Sequence, residues 1–463
     1  MMTENWSPII SDKNHWCSIN AEHIELLIDA KAYYEDFFDS CKKAQEKIVL
    51  AGWVMEDRLL LSKHDDRLPD SLVEFFKSLS LKKPELIIET IVWTPGFYLD
   101  FSRQAFKESR WSGKLPSNFR HFRDESSYLF GSRHEKYALI DGHTLFVGGM
   151  DITSGRYDNR DHEAQFDYRR LPGGKKYRPR HDAQLKITGP INKKISELRN
   201  RGLPSKKPKS VSKQDHGPIE GVAKVYLSRT SPELKKFEIE DLYVQAINKA
   251  RDWIYIENQY FTNAKIAEAI VRRLKEKDPP EIVMALPMTY GGVFERAIFE
   301  HKRNLLFEKV RKADHKNRFR AYYPSIPNET KDSFVVVHSK LMAVDGRFFT
   351  IGSANLNERS MRVDTELNAS IESLDLSSSH SKFIYQSVSD LLGEHLETSA
   401  GLIANDLSSM GLMETIRKNI NIKRGGRTFR PIEKRPFKWW EMTALLISSF
   451  IDIKLRIPKH GQS

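Results

Sequence analysis

Two histidines stand in matching frames. His134-x-Lys136 is followed by Asp141-Gly142, and His338-x-Lys340 by Asp345-Gly346, with identical spacing in both copies. Six residues separate each aspartate from a small-residue pair, Gly148-Gly149 or Gly352-Ser353, and then, after one intervening residue, comes Asp151 or Asn355. A lone His-x-Lys is most often surface decoration, but a whole frame repeated about 200 residues later reads as a duplicated domain. Brought together, two histidines supply what displacement at a phosphodiester needs: a neutral imidazole as nucleophile and a protonated one as acid for the leaving alcohol. Lys136, Lys340 and Asn355 can hold the phosphoryl oxygens as negative charge builds.

Each frame must sit on a strand. Residues 137–140 and 341–344 are apolar, and a period of two puts His134 with Lys136, and His338 with Lys340, on one face. Asp-Gly is the signature of a tight hairpin turn, so Asp141 and Asp345 are expected to be structural. Around the first frame the pattern predicts a helix over 21–44, a strand over 47–54, a helix over 72–79 and a strand over 86–93. Around the second it predicts strands over 223–227, 253–257 and 281–286, with helices over 239–250 and 264–275. Alternating strands and helices in both halves give an α/β fold, with two pseudo-twofold-related lobes of mixed sheets flanked by helices. The expected organisation is a first lobe over 1–190, a basic linker over 191–221 rich in Lys, Pro, Ser and Gly, a second lobe over 222–400, and a tail over 401–463.

Composition narrows the class. The chain has 463 residues, 40% hydrophobic and 29% charged, enough for two or three ordinary globular domains. Its formal net charge of +12 favours anionic partners such as phospholipid surfaces or nucleic acid. With only Cys17 and Cys41, a disulfide framework and a thiol enzyme are both unexpected. The amino terminus has no basic and apolar signal-peptide pattern. The best apolar stretch, 442–455, is broken by Ser448, Ser449, Asp452 and Lys454, so no spanning helix is expected. In the tail, residues 416–438 carry nine Lys or Arg against Glu433 alone, ahead of Trp439 and Trp440. That segment reads either as a helix packed on the core behind a basic loop or as a membrane-surface anchor.

The frames resemble the signature of the phospholipase D superfamily, HxKxxxxD followed six residues later by GG or GS and then x-Asn. The eukaryotic-type members of that superfamily are resembled further. Gly148-Gly-Met-Asp151 with Gly155-Arg-Tyr-Asp158 and His162 is similar to GGID…GRYDxxxH, and Arg180-His-Asp182 with Gly189-Pro190 to WHDxxxxxxGP. Residues 254–261 match IYIENQYF, and 352–361 match GSANINxRSM almost throughout. The resemblance covers roughly residues 45–375. It implies one bilobed core with both frames in one cleft, a covalent phosphohistidine, and no metal or other cofactor in the chemistry. His134 would be the nucleophile and His338 the acid, although pseudosymmetry leaves their order open. Lys136 and Lys340 would bind phosphate, and Glu366 would orient a motif histidine. Gly148, Gly149, Ser353, Asn258, Gln259 and Tyr260 fall where substrate-binding residues are expected. The His181-Asp182 pair reads evenly as substrate-binding or structural, because Arg180 stands where the family has Trp. Asp151 replaces the signature asparagine; an ionised carboxylate cannot donate to a phosphoryl oxygen, so it is grouped with the structural positions and leaves Asn355 alone in that role.

The activity so implied is hydrolysis of the distal phosphodiester of a glycerophospholipid to phosphatidic acid, with capture by an alcohol as a variant. A cardiolipin-synthase-like phosphatidyltransferase and a nucleic-acid phosphodiesterase are the alternatives, with nucleic acid not expected as a partner. The expected protein is a monomer at an anionic phospholipid surface, cytoplasmic or exported without a cleaved signal. About 45 residues precede the core, too few for a separate lipid-binding module. His23, His64, His301 and His315 lack metal-ligand spacing, so no metal site is expected.

Overall fold

The computed structural model describes residues 6–93, 115–124, 131–164, 169–191, 195, 223–291, 293–326, 333–420 and 426–433. The first half runs β1 (Cys17–Ala21), β2 (His23–Ile28), α1 (Asp29–Lys43), β3 (Lys47–Gly52), α2 (Leu72–Lys82), β4 (Ile87–Trp93), β5 (Phe119–Asp124), β6 (Tyr137–Ile140), β7 (Thr144–Gly148), β8 (Arg180–His181) and β9 (Ala183–Thr188). The second begins with β10 (Ala223–Ser231), β11 (Lys236–Phe237), α3 (Glu238–Lys249), β12 (Trp253–Glu257), α4 (Ala264–Leu274), β13 (Glu281–Ala285), α5 (Val293–Ala313) and β14 (Phe319–Ser325). It continues with β15 (Val336–Val337), β16 (Leu341–Val344), β17 (Phe348–Gly352), α6 (Glu358–Arg362), β18 (Glu366–Glu372), α7 (Ser379–His395), α8 (Ala400–Met410), α9 (Leu412–Asn419) and β19 (Thr428–Pro431).

The duplication is visible strand by strand. One sheet has the order β2-β9-β7-β6-β3-β4-β5, and the other contains β10-β18-β17-β16-β12-β13-β14 in corresponding places, with β1 and β19 added at its edges. In each sheet three strands are parallel, β3-β4-β5 and β12-β13-β14, and the motif hairpin lies beside them antiparallel. One face of each sheet packs on the other through Val49, Leu145, Leu185, Tyr255, Leu341 and Ile351. Helices α1 and α2 cover the outer face of the first sheet, and α3, α4 and α5 that of the second. The mixed α/β architecture with two related lobes is therefore the one expected.

Three boundaries differ from expectation. The helix starts at Asp29, because residues 17–28 form two strands, β1 against β10 and β2 against β9. The Ala, Glu and Leu content there favours helix locally, but Leu26 facing Leu185 fills the sheet, and pairing overrides propensity. The first strand also crosses to the second sheet, so the lobes do not divide cleanly by sequence. Nor does a separate tail start at 401: Ile403, Leu407, Leu412, Ile416 and Phe429 are buried in the central core, and β19 pairs with β14. The remainder of the tail, 434–463, and the linker apart from Ile191 and Ile195 lie outside the described residues.

Asp141 and Asp345 occupy the left-handed region at φ 53°, each followed by glycine at φ 63°. Their carboxylates hold the turn that feeds the neighbouring strand. Asp141 accepts from the backbone N–H groups of Gln45, Glu46 and Lys47, and Asp345 from those of Arg251, Asp252 and Trp253. Two of the first three bonds are exposed and the third partly buried, whereas the second set is partly or fully buried, which makes a prediction. Asp345→Ala should cost about 3 kcal/mol in chemical denaturation and Asp141→Ala about 1 kcal/mol, since only buried donors go unsatisfied.

Candidate active site

Two short parallel pairings join the lobes. Val336–Val337 pairs with Arg180–His181, and Arg133 bridges to Thr365. The backbone N–H of His338 donates to the His181 carbonyl at 2.7 Å, and that of His134 to the Thr365 carbonyl at 3.0 Å. Each motif histidine is thereby docked on the other lobe, beside the residue that follows: Asp182 or Glu366. Both carboxylates cross the interface. Glu366 lies 2.9 and 3.0 Å from Nδ1 of His134, and Asp182 Oδ2 lies 2.6 Å from Nδ1 of His338. An Nδ1–H held by a carboxylate fixes the ring and leaves the Nε2 lone pair free to act.

The lysines lie alongside. Lys136 donates to the His134 carbonyl at 2.9 Å and stands 3.5 Å from Asp151. Lys340 donates to the His338 carbonyl and lies 3.0 Å from His338 Nδ1. One ring nitrogen cannot donate to Asp182 and accept from Lys340 at once, so the two compete for His338.

Burial sets the protonation. Desolvation, then the Lys136 charge, holds His134 well below the usual imidazole range; desolvation, then Lys340 and Arg156, does the same to His338. Desolvation also pushes Glu366 up to about 8 and raises Asp182, and it lowers Lys340 to about 7. The His134–Glu366 pair thus shares one proton instead of forming a buried ion pair. A bound phosphodiester anion would oppose the cations and draw protons back onto the imidazoles.

The lobes differ at one point that assigns roles. In the first, Gly52 has no side chain, and Asp151 Oδ1 caps the N–H groups of Trp53 and Val54. In the second, Asn258 takes the equivalent place, and its Oδ1 accepts from Tyr260 and Leu356 N–H at 3.1 and 3.0 Å. Asn355 is relieved of capping; its Oδ1 is buried with no hydrogen-bond partner among the described residues.

Several expected substrate-binding residues are better described as supports. Asn258 is fully buried and spent on backbone. His181 is fully buried behind the cleft, with carboxylates at both nitrogens, so it cannot touch substrate. Asp182 orients His338, the counterpart of Glu366. A side chain at Gly148 would collide with the strand at Ala183 and Gln184, and one at Gly149 with Asp182 itself. Ser353 donates to Glu366. Gln259 and Tyr260 remain partly exposed, Tyr260 stacked on Tyr290 at 5.0 Å and beside Phe299 at 4.6 Å. Trp53, stacked on Trp93, packs against His134 at 6.1 Å. The sequence reading missed the Asp182 partnership and Trp53. Aligning Gly148…Gln184 with Gly352…Asn368, each pair one strand contact, would have matched Asp182 to Glu366.

The chain is similar to several known proteins. A family described as "Cardiolipin synthase, PLD-like domain" matches residues 243–386. Phospholipase D alpha 4 of Arabidopsis thaliana is 22% identical over 87% of this chain and 68% of its own length. Phospholipase D gamma 2 of the same plant is 22% identical over 72% of this chain and 57% of its own length, and phospholipase D1 of Saccharomyces cerevisiae 22% over 82% and 29%. The chain therefore spans from under a third to about two thirds of these relatives. The crystal structure of phosphatidylserine synthase from Haemophilus influenzae superposes with a TM-score of 0.60 at 14% identity, covering 95% of both chains. With two His-x-Lys frames closed into one carboxylate-braced pair of histidines, on a fold and a sequence related to these proteins, the comparisons support the phospholipase D superfamily for this chain.

Proposed function

We propose that the protein is a phospholipase D, transferring the phosphatidyl group of a glycerophospholipid to water through a phosphohistidine. The observation that carries this is the pair of histidines, each held through Nδ1 by a carboxylate of the opposite lobe. His134 Nε2 attacks phosphorus; His338 protonates the departing head-group oxygen, so the P–O bond breaks as P–N forms. His338 then removes a proton from water, which attacks phosphorus and releases phosphatidic acid and free His134. Lys136, Lys340 and the Asn355 amide hold the phosphoryl oxygens as charge grows. The net charge of +12 supports work at an anionic lipid surface.

A second reading, with an alcohol such as phosphatidylglycerol as acceptor, is favoured by the family match over 243–386. Both are tested by incubating the protein with labelled phosphatidylcholine or phosphatidylethanolamine liposomes, with and without a primary alcohol. The hydrolase reading expects phosphatidic acid in water alone and a phosphatidylalcohol when alcohol is added. Product formed only with an alcohol acceptor favours the transferase, and no turnover of any glycerophospholipid overturns both.

A further inference from the structure

Behind the cleft, four side chains from three distant stretches converge. Asp29 opens α1, His162 follows the Gly155–Asp158 turn, His181 ends β8, and Glu394 lies near the end of α7; all four are buried. Glu394 Oε1 is 3.1 Å from His162 Nε2 and 2.6 Å from His181 Nδ1, while the two Asp29 oxygens are 3.4 and 3.3 Å from the same nitrogens. The opposite nitrogen of each ring meets a further carboxylate, Asp158 Oδ2 at 3.0 Å and Glu257 Oε2 at 2.8 Å. Asp29 Oδ2 is fully buried, faces His162, and has no hydrogen-bond partner among the described residues.

We propose that Asp29, His162, His181 and Glu394 bind a structural first-row divalent cation, most suitably Zn2+. With Asp29 Oδ2 and Glu394 Oε1 as the carboxylate ligand atoms, tetrahedral bonds of about 2.0–2.1 Å separate ligand atoms by about 3.3 Å; the distances of 3.4 and 3.1 Å to His162 Nε2 are close to this, that of 2.6 Å to His181 Nδ1 is shorter, and all four ligand atoms lie within 4.8 Å of one another. Two imidazoles and two carboxylates suit a borderline ion better than Ca2+ or Mg2+, which take oxygen ligands. The outer carboxylates complete the pattern, each accepting the second ring N–H of a ligating histidine. Without a cation, each imidazole must carry two protons to satisfy carboxylates on both sides. Two imidazolium ions would then sit with ring centroids 6.2 Å apart in a dry interior. One divalent ion supplies the same charge at one point. The ion would brace the active site from behind, since Asp29 Oδ1 accepts the Asp182 N–H and the His181 carbonyl accepts the His338 N–H.

The test is elemental analysis of the full chain purified without chelator, with a thermal melt before and after dipicolinate. About one equivalent of zinc, and a midpoint that falls by at least about 5 °C on chelation and returns with Zn2+, are expected. Co2+ added to stripped protein should give the visible absorption of a tetrahedral N/O site, and His162→Asn should lose it. Less than about 0.1 equivalent of metal, together with a melt unmoved by Zn2+ or Co2+, would overturn the proposal and leave the imidazolium pair. Retention of Ca2+ alone would overturn the assigned class. The wild-type results decide the matter if His162→Asn does not fold.

Discussion

Replacing either motif histidine with alanine will lower phospholipid turnover by at least about 10³-fold, and the two variants will stop at different steps. His134→Ala lacks the nitrogen that bonds to phosphorus, so no covalent intermediate forms with any substrate. His338→Ala retains it and lacks the acid that protonates the leaving alcohol. With a phosphatidyl ester of p-nitrophenol, whose leaving group needs no proton, His338→Ala should release a burst of nitrophenol. It should then stall as phosphohistidine, because the base for water is also gone. Intact-mass spectrometry after rapid acid-free quenching reads the adduct directly. An adduct on His134→Ala but not on His338→Ala would reverse the assignment, and pseudosymmetry makes that reversal a real alternative outcome. Loss of the adduct in both variants would remove the covalent mechanism.

The two histidine frames were legible because the residues that define them lie within about 20 positions of one another, and so were the alternating strands and helices around them. Local pattern also identified the Asp-Gly turns of the motif hairpins. It failed where the deciding contact was distant in sequence. Residues 21–28 have helical composition and become strand because β9 offers an edge to pair with. Asn258 looks like a cleft residue in its motif, yet its counterpart in the other lobe, Gly52, has no side chain and leaves the capping to Asp151, which shows why Asn258 is needed for capping. The Asp29–His162–His181–Glu394 cluster has no recognisable spacing, since its members lie in segments that only folding brings together. Asp182 was hidden differently. It lies 48 residues after His134, while Glu366 lies 28 after His338, because the first lobe inserts the turn that carries Asp158 and His162.

That hidden equivalence yields the second large effect, which depends on charge sign as well as contact. Asp182→Asn and Glu366→Gln each keep a side chain of nearly unchanged shape and remove the proton-sharing carboxyl group from Nδ1 of one histidine. Each should cost about 10²–10⁴-fold in kcat, the scale seen when a histidine loses its orienting carboxylate. Their pH profiles should separate. His338 is already held low by burial and by Lys340 and Arg156, and Asp182 is the anion that counters them. Without it the protonated acid is harder to keep, so the alkaline limb of kcat should move at least about one unit toward acid in Asp182→Asn. Glu366→Gln lowers the affinity of His134 for protons, which leaves the nucleophile neutral; its acid limb should move toward acid while its alkaline limb stays. The nitrophenyl ester should restore much of the burst in Asp182→Asn and little in Glu366→Gln. Two variants with equal losses, unmoved pH limbs and no response to the leaving group would show that these carboxylates only hold the lobes together. A split response would assign each to its own histidine across the interface.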